Sequence, residues 1–137
     1  MTEAAFAQAL RSVGLRPTRA RLAILEALDR SARAVSAQEL FVALRGNPGA
    51  PGLATIYRTL SALAEGGAVE TFHKGDEALF RLCGDAHHHH LVCNGCGVVE
   101  EIEAAEVEAW VARVSRRRSF TVTAHSADIY GLCAACR

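Results

Sequence analysis

The sequence predicts an α+β fold in two parts, with helices and one hairpin first and a mixed helix-and-strand part second. Three observations support this prediction. Apolar residues recur at helical spacing between start and stop signals as far as about residue 66. A hairpin pattern with a glycine turn follows. After residue 87 the pattern changes to short strands and one helix, bounded by two C-x-x-C motifs.

Four helices are predicted in the first part. Gly14 ends the first helix, and Pro17 suits the first turn of the second. Ser36 and Glu39 have the spacing of a capping box, which opens the third helix. The fourth helix runs from about Leu53 to Gly66. The predicted inward positions are Phe6, Leu10, Val13, Leu22, Leu25, Leu28, Leu40, Phe41, Leu44, Leu53, Ile56, Leu60 and Leu63.

The fourth helix has two different faces. Its apolar stripe predicts burial, while Tyr57, Arg58 and Ser61 point the other way. An exposed aromatic ring beside an arginine suits a DNA groove, because the guanidinium can grip guanine edges or phosphate and the ring can contact a thymine methyl. Together with a hairpin at residues 69–73 and 78–82, this pattern favours a winged helix-turn-helix. The alternative is an ordinary helical bundle with solvated surface residues at these positions.

Composition and charge exclude several classes of protein. Half of the 137 residues are hydrophobic, so the chain is not a disordered tail. No signal peptide is visible and no apolar stretch approaches transmembrane length, so we expect a cytoplasmic protein without membrane association. The formal net charge is zero. Any argument for nucleic-acid binding must therefore rest on local charge, such as the four arginines and no acid between Leu10 and Leu25.

Four of the five cysteines form two C-x-x-C pairs, Cys93 with Cys96 and Cys133 with Cys136. The two-residue gap lets two thiolates converge on one ion, and two such pairs complete the tetrahedral sulfur set that zinc takes at closed structural sites. The alternative is a secreted domain stapled by disulfides. The paired spacing and the absence of a leader favour a reducing compartment instead.

Further soft ligands precede the first pair, at Cys83 and in the run His87–His90. These are more ligands than one structural ion needs, so we expect a second, reversible metal site. If the run is extended, His88 and His90 share one face and His87 and His89 share the other. For Cys83 the alternative is a small buried hydrophobic residue.

The second part is predicted to have short strands at 89–92 and 98–102, a helix at 103–116 and a strand at 120–129. The apolar face of the helix consists of Val107, Trp110, Val111 and Val114. Such a small part cannot bury a generous core alone. Structural zinc and a partner subunit would both stabilise it.

The motifs together resemble the ferric-uptake-regulator superfamily. The residues that carry the resemblance are Leu15-Arg16-Pro17-Thr18-Arg19, Ala54-Thr55-Ile56-Tyr57-Arg58-Thr59-Leu60, the run from His87 to Cys93, Cys96-Gly97, Cys133 and Cys136. The resemblance implies a winged-helix DNA-binding domain at 1–82, a hinge at 83–86, and a dimerisation and metal-binding domain at 87–137. It also implies a homodimeric, metal-dependent repressor of metal-homeostasis genes that binds a palindromic operator in double-stranded DNA and takes no small-molecule substrate. Expected DNA contacts are Arg16, Thr18, Arg19, Thr55, Tyr57 and Arg58.

Ligand chemistry bears on which metal is sensed. Iron and peroxide sensors of this superfamily have a histidine just before the third helix, where this chain has Ala34-Val35. It offers Cys83 instead, and a thiolate with imidazoles selects zinc over ferrous iron. This resembles the zinc-uptake regulators (Zur), in which zinc is the corepressor of zinc-uptake genes. The implied regulatory ligands are Glu70, Cys83, His88 and His90, with Glu70 where aspartate is common.

The same resemblance implies an additional site formed by His87, His89, Glu108 and His125, which brings the expected total to about two or three zinc ions per subunit. Glu106 is the other carboxylate within reach, and a structural role is the alternative for His125.

Rival functions are an iron-, manganese- or nickel-responsive or peroxide-sensing regulator, or a zinc chaperone or buffer. A chaperone has no need of the Tyr57-Arg58 helix. No zinc-enzyme motif of the HExxH type occurs, so we expect no enzyme activity.

Overall fold

The computed structural model describes residues 1–84 and 87–137 and divides into two compact units. We call Met1–Gly84 the N-terminal unit and Asp85–Arg137 the C-terminal unit. Helices and sheets occur as the sequence predicts, and the α+β class is confirmed. The predicted hinge at 83–86 includes Asp85 and Ala86, which lie outside the described residues.

The N-terminal unit buries one apolar core between its helices and a hairpin. The elements are α1 (Glu3–Ser12), α2 (Arg19–Asp29), α3 (Ala37–Leu44), α4 (Leu53–Glu65), β1 (Val69–Lys74) and β2 (Glu77–Leu82). Completely buried side chains include Leu10, Ile24, Leu25, Ile56, Leu60 and Leu63. The predicted stripe of α4 therefore faces this core, and its other face is left for the surface.

Side-chain caps fix where the helices begin. The backbone N–H of Glu39 donates to Ser36 Oγ at 3.1 Å and the N–H of Ser36 donates to Glu39 Oε2 at 2.9 Å, so the predicted capping box is confirmed. The prediction for Pro17 was wrong. Thr18 is the N-cap of α2, because its hydroxyl accepts the N–H of Arg21 at 3.3 Å, and Pro17 lies outside the helix.

Strands β1 and β2 form the predicted antiparallel hairpin, from Val69 opposite Leu82 to Lys74 opposite Glu77. Gly75 has φ +60° in the turn, a conformation that glycine adopts without strain. A bridge between Val35 and Phe80 joins β2 to the segment before α3. Helices followed by such a wing match the winged helix-turn-helix rather than a helical bundle.

The C-terminal unit has a three-stranded sheet and one helix. The elements are β3 (His89–Cys93), β4 (Val99–Ile102), α5 (Ala105–Arg118) and β5 (Asp128–Gly131). Strand β3 is central, antiparallel to β4 and parallel to β5. The strand predicted at 120–129 was wrong in its bounds, since ladder pairing covers only Asp128–Gly131. Alternation alone does not make a strand, and residues 120–127 have no strand neighbour within the described chain.

The apolar side of helix α5 is only partly covered by the described part of its own chain. None of its residues, all of them described, is buried, and Trp110 is 56% exposed. Ser119 ends the helix in the left-handed conformation with φ +58°. An amphipathic helix with its apolar side open is typical of an interface. Among the described residues, no helix is long and apolar enough to cross a bilayer.

Candidate metal centres and nucleic-acid surface

Parallel pairing of β3 and β5 brings the two C-x-x-C motifs together. Cys93 ends β3 and lies opposite Gly131, the last residue of β5. Because parallel strands end at the same edge of a sheet, the turns that follow them are neighbours. The Asn94 N–H donates to the Gly131 carbonyl at 2.7 Å and ties the two turns. Pairing of β3 with β5 thus brings together two motifs that are far apart in the sequence.

The four sulfur atoms, which we call the tetrathiol cluster, have the geometry of a closed metal site. Cys93, Cys96, Cys133 and Cys136 place their sulfur atoms within 4.8 Å of one another. Cys96 Sγ and Cys133 Sγ lie 3.8 Å apart. Zinc–sulfur bonds of about 2.3 Å give a tetrahedron with an edge of about 3.8 Å, so the donor set fits zinc in chemistry and in size.

Backbone donors prepare one of these sulfurs as a thiolate. The N–H groups of Cys133 at 3.3 Å, Cys96 at 3.5 Å and Gly95 at 3.3 Å point at Cys93 Sγ and lower its pKa to about 6. The neighbouring sulfurs of Cys133, Cys93 and Cys96 raise the pKa of Cys136 to about 12. The four sulfurs can therefore all be thiolates only if a cation among them offsets their repulsion, and a divalent metal ion would do so.

A second group, which we call the His–Glu cluster, lies between the start of β3 and α5. His87, His89, Glu108 and His125 place their ligand atoms within 4.8 Å of one another. Glu108 Oε1 is 2.7 Å from His89 Nε2 and 3.0 Å from His87 Nε2, and Oε2 is 2.8 Å from His125 Nε2. Three imidazoles and one carboxylate are a donor set that zinc accepts. Glu108, rather than Glu106, is the carboxylate that meets these three histidines.

Hydrogen bonding within this cluster keeps Glu108 ionised. His89 first, then His125 and His87, lower the pKa of Glu108 to about 2. The Ala127 N–H donates to His89 Nδ1 at 3.0 Å, so neutral His89 has its hydrogen on Nε2 and donates it to Glu108. The cluster is complete as a hydrogen-bonded network. A metal ligand at Nε2 would require His89 to lose that hydrogen.

The four residues expected in the regulatory site divide between the two units. In the N-terminal unit, Glu70 lies on β1 opposite Arg81, and Arg81 Nη1 donates to Cys83 Sγ at 3.6 Å. Glu70 and Cys83 are therefore both at the end of the hairpin where β2 finishes. In the C-terminal unit, the rings of His88 and His90 are 4.7 Å apart, and those of His87 and His89 are 4.9 Å apart. This is the pairing expected from alternation.

Two carboxylates beside His88 and His90 were missed by sequence reasoning. Glu101 Oε1 lies 3.7 Å from His88 Nε2, and Asp128 Oδ1 lies 2.9 Å from His90 Nδ1. Glu101 is opposite His90 in the antiparallel ladder, and Asp128 is opposite His90 in the parallel one. Only the strand registers bring them there, and no local motif indicates either one.

The exposed face of α4 presents the side chains expected to contact DNA. Tyr57 and Arg58 are exposed, and Thr55 is half-buried. Arg58 Nη2 lies 3.5 Å from Thr55 Oγ1. Gln38 Nε2, on α3, donates to the Tyr57 hydroxyl at 2.7 Å, a contact that the sequence did not predict. Helix α3 therefore orients the aromatic ring that α4 presents.

The remaining DNA candidates lie between α1 and α2. Arg16, Thr18 and Arg19 are all exposed. Thr18 has a structural role as the cap of α2, and the Arg16 carbonyl accepts Arg21 Nη1 at 3.0 Å. This segment is therefore held in place by its own hydrogen bonds. Its guanidinium groups are left to the surface.

A winged helix in one unit, with thiolate and imidazole clusters in the other, defines a metal-binding protein of the winged-helix class. Comparison with known proteins identifies which one. The chain belongs to the ferric uptake regulator family, whose model matches residues 12–130.

Relatives in sequence and structure agree with this membership. The zinc uptake regulation protein of Mycobacterium tuberculosis is 42% identical over 127 residues, which cover 92% of this chain and 98% of that protein. The Vibrio cholerae ferric uptake regulator is 37% identical, with a TM-score of 0.74 over 92% of this chain and 98% of that one. A zinc uptake regulator complexed with zinc and DNA is 27% identical, with a TM-score of 0.71 over 97% of this chain and 91% of that one.

Proposed function

We propose that this chain is a zinc-responsive, DNA-binding repressor of zinc-uptake genes, with zinc as corepressor. Membership of the ferric uptake regulator family and 42% identity to a zinc uptake regulation protein support the proposal. The observation that carries the choice of zinc is Cys83, a cysteine outside the tetrathiol cluster at the end of the wing. Thiolate with imidazole favours zinc over ferrous iron. Ala34 supplies no nitrogen where iron sensors have a histidine.

The tetrathiol cluster would hold the structural zinc. Zinc supplies cross-links there between the two turns and neutralises the thiolates. Cys93 and Cys96 anchor the end of β3, and Cys133 and Cys136 anchor the chain after β5. Zinc would thereby stabilise this end of the sheet in a unit that lacks a large apolar core among its described residues.

The regulatory zinc would be held by Glu70 and Cys83 from one unit and by His88 and His90 from the other. Residues that belong to different units but share one ion restrict the orientations that the units adopt. Zinc would thereby favour the conformation that binds DNA over the others that the protein samples. The His–Glu cluster would be an additional site, whose occupancy depends on His89 releasing its Nε2 hydrogen.

DNA recognition is assigned to α4, with Tyr57 and Arg58 at base edges or phosphates and Thr55 beside them. The DNA phosphate backbone would be contacted by Arg16, Thr18 and Arg19. The protein would act as a homodimer, since α5 exposes an apolar face that a second copy can cover. A two-fold dimer places its recognition helices about 34 Å apart, which matches successive major grooves of a palindromic operator. The protein would be cytoplasmic and would have no enzyme activity.

The experiment measures operator binding by purified protein that contains only the structural zinc. Zinc, ferrous iron, manganese and nickel are titrated separately into the protein–DNA mixture. We expect zinc to restore tight binding at the lowest free concentration. Cys83→Ser should keep the fold and the structural zinc but lose this response. Restoration by ferrous iron at lower free concentration than zinc would replace the proposal with an iron-type regulator. An unchanged zinc response in the variant would remove Cys83 from the regulatory ligands and with it the observation that carries the choice of zinc.

A further inference from the structure

The strand register of the C-terminal unit brings one carboxylate against His90. Strands β3 and β5 are parallel, and His90 lies opposite Asp128. His90 Nδ1 is 2.9 Å from Asp128 Oδ1. The His90 side chain is only 2% exposed, whereas Asp128 is 30% exposed. The contact therefore joins a buried imidazole to a carboxylate at the sheet surface.

This contact determines which nitrogen of neutral His90 bears the hydrogen and which bears the lone pair. A neutral imidazole has one N–H and one lone pair, and the hydrogen bond made by one nitrogen sets the role of the other. A carboxylate only accepts, so Asp128 requires the hydrogen on Nδ1. The lone pair of His90 is then on Nε2. Histidines that bind metals commonly donate their other N–H to a carboxylate, which orients the ring and raises its basicity.

The neighbouring histidine shows that the strand alone does not impose this tautomer. His89 accepts the Ala127 N–H at Nδ1 and therefore has its hydrogen on Nε2 when neutral. His89 and His90 are adjacent on β3 and equally buried, yet their hydrogen-bond partners select opposite tautomers. The difference lies in what faces each ring. At Nδ1, His89 meets the backbone donor of Ala127, whereas His90 meets the carboxylate of Asp128.

We propose that Asp128 is a positioning residue for the regulatory metal site, which holds His90 as the tautomer that offers Nε2 to zinc. This proposal rests on the proposed function, because it assigns His90 to the zinc-sensing ligands. Asp128 itself does not bind the metal, and it acts only through the His90 ring. Removal of the Asp128 carboxylate should leave the fold and the structural zinc in place but weaken zinc binding at the regulatory site.

The experiment compares Asp128→Ala, Asp128→Asn and Asp128→Glu with the parent in the full chain that contains only the structural zinc. Glu100→Gln is the matched control, because Glu100 is an exposed carboxylate on β4 of the same sheet, opposite Leu91 rather than His90. Nitrogen NMR of the imidazole rings, above the ordinary histidine pKa, reports the tautomer of His90. Competition with a chelator reports the affinity for the next zinc ion.

We expect Asp128→Ala to give a mixed His90 tautomer and zinc affinity about 10- to 100-fold weaker, with partial recovery in Asp128→Glu. Asp128→Asn tests the charge alone and serves as the second variant if the alanine variant does not fold. An unchanged His90 tautomer in Asp128→Ala, or zinc affinity of that variant within about threefold of the parent, would overturn the proposal. Neither measurement uses DNA, so parent protein that binds its operator without zinc would refute the proposed function separately.

Discussion

At the residue scale, Gly95 lies where a side chain has no room. A Cβ atom at this position would be 2.8 Å from Cys136 Sγ and 2.9 Å from Cys136 Cβ. Contacts below about 3 Å force a shift, and overpacking of this kind costs about 1–3 kcal/mol. The backbone N–H of Gly95 also donates to Cys93 Sγ. A shift would therefore disturb two of the four sulfur ligands.

We predict that Gly95→Ala weakens zinc retention at the tetrathiol cluster and lowers the melting temperature of the zinc-loaded protein. Gly131→Ala is the control, because a Cβ atom at Gly131 meets nothing within 4 Å although it lies beside Cys93 in the sheet. The rate of zinc transfer to a chelator measures the effect. Equal transfer rates for Gly95→Ala and the parent would show that the turn adjusts without loss.

A second prediction separates the two carboxylates of α5. The pKa of Glu108 is lowered to about 2 by its histidine partners, so the stability that its ionised form supplies is complete at neutral pH. That stability is lost only as the pH falls from the ordinary carboxyl range toward 2. Glu108→Gln should therefore lower the melting temperature at neutral pH, by an amount that solvent screening reduces because the Glu108 side chain is 42% exposed. Glu106→Gln, on an exposed position of the same helix, should not. Equal melting temperatures for the two variants would remove Glu108 from the network.

Donor residues are more predictable at this scale than the residues that orient them. The spacing of the C-x-x-C pairs and the alternation within His87–His90 are local, so the sequence predicts which of them converge. Asp128 is 38 residues from His90, and only parallel pairing brings them together. The Gln38–Tyr57 contact likewise depends on how α3 packs on α4. Neither contact has a local pattern.

At the scale of elements, α4 can be tested as the recognition helix. Tyr57 and Arg58 lie opposite the buried stripe, so their removal should leave folding and zinc binding unchanged. Tyr57→Ala should weaken operator binding more than binding to random DNA, because ring contact with a base reads sequence. Ser61→Ala, on an exposed position of the same helix, is the control. Affinities for operator and random DNA measure the effect.

Arg58→Ala distinguishes two kinds of contact by the same measurements repeated at several salt concentrations. A base-edge contact would lose about 1–3 kcal/mol of specificity. A phosphate contact would lower both affinities equally and reduce the salt slope by about one unit. If Tyr57→Ala and Arg58→Ala together leave operator affinity unchanged, α4 is not the recognition helix.

Helices were more predictable than strands in this chain, for a physical reason. A helix satisfies its own hydrogen bonds, so caps such as Ser36 and apolar spacing mark it locally. A strand needs a neighbour, and the alternation at 120–129 could not show that only Asp128–Gly131 pairs with β3. Thr18 replaced Pro17 as the start of α2 because a side-chain acceptor at the cap satisfies a backbone donor.

For the molecule as a whole, the partly exposed apolar face of α5 predicts self-association. Trp110 is 56% exposed on that face, and buried aromatic anchors dominate the energetics of interfaces. Trp110→Glu should raise the dimer dissociation constant by at least about tenfold. Val42→Glu is the control, because Val42 is 57% exposed on α3 in the other unit. Analytical ultracentrifugation measures both variants. A Trp110→Glu variant as dimeric as the parent would place the interface elsewhere.

The two units differ in what holds them together, and zinc removal should therefore act on only one of them. The clustered apolar core consists of residues from Phe6 to Phe80, all in the N-terminal unit. Among the described residues of the C-terminal unit, the buried hydrophobic side chains are Val92, Cys93 and Val99. Structural zinc contributes on the order of 10 kcal/mol in small modules, which far exceeds what three side chains supply.

Cys93→Ser, or chelation of the structural zinc, should unfold the C-terminal unit and abolish dimerisation while the N-terminal unit stays folded. Hydrogen exchange followed by mass spectrometry should show rapid exchange in β3, β4 and β5 and protected amides in α2 and α4. Cys83→Ser is the matched control, since Cys83 is a cysteine outside the tetrathiol cluster. It should retain protection in both units. A Cys93→Ser variant that remains a dimer after losing its zinc would contradict this account, because packing alone would then suffice to fold the C-terminal unit.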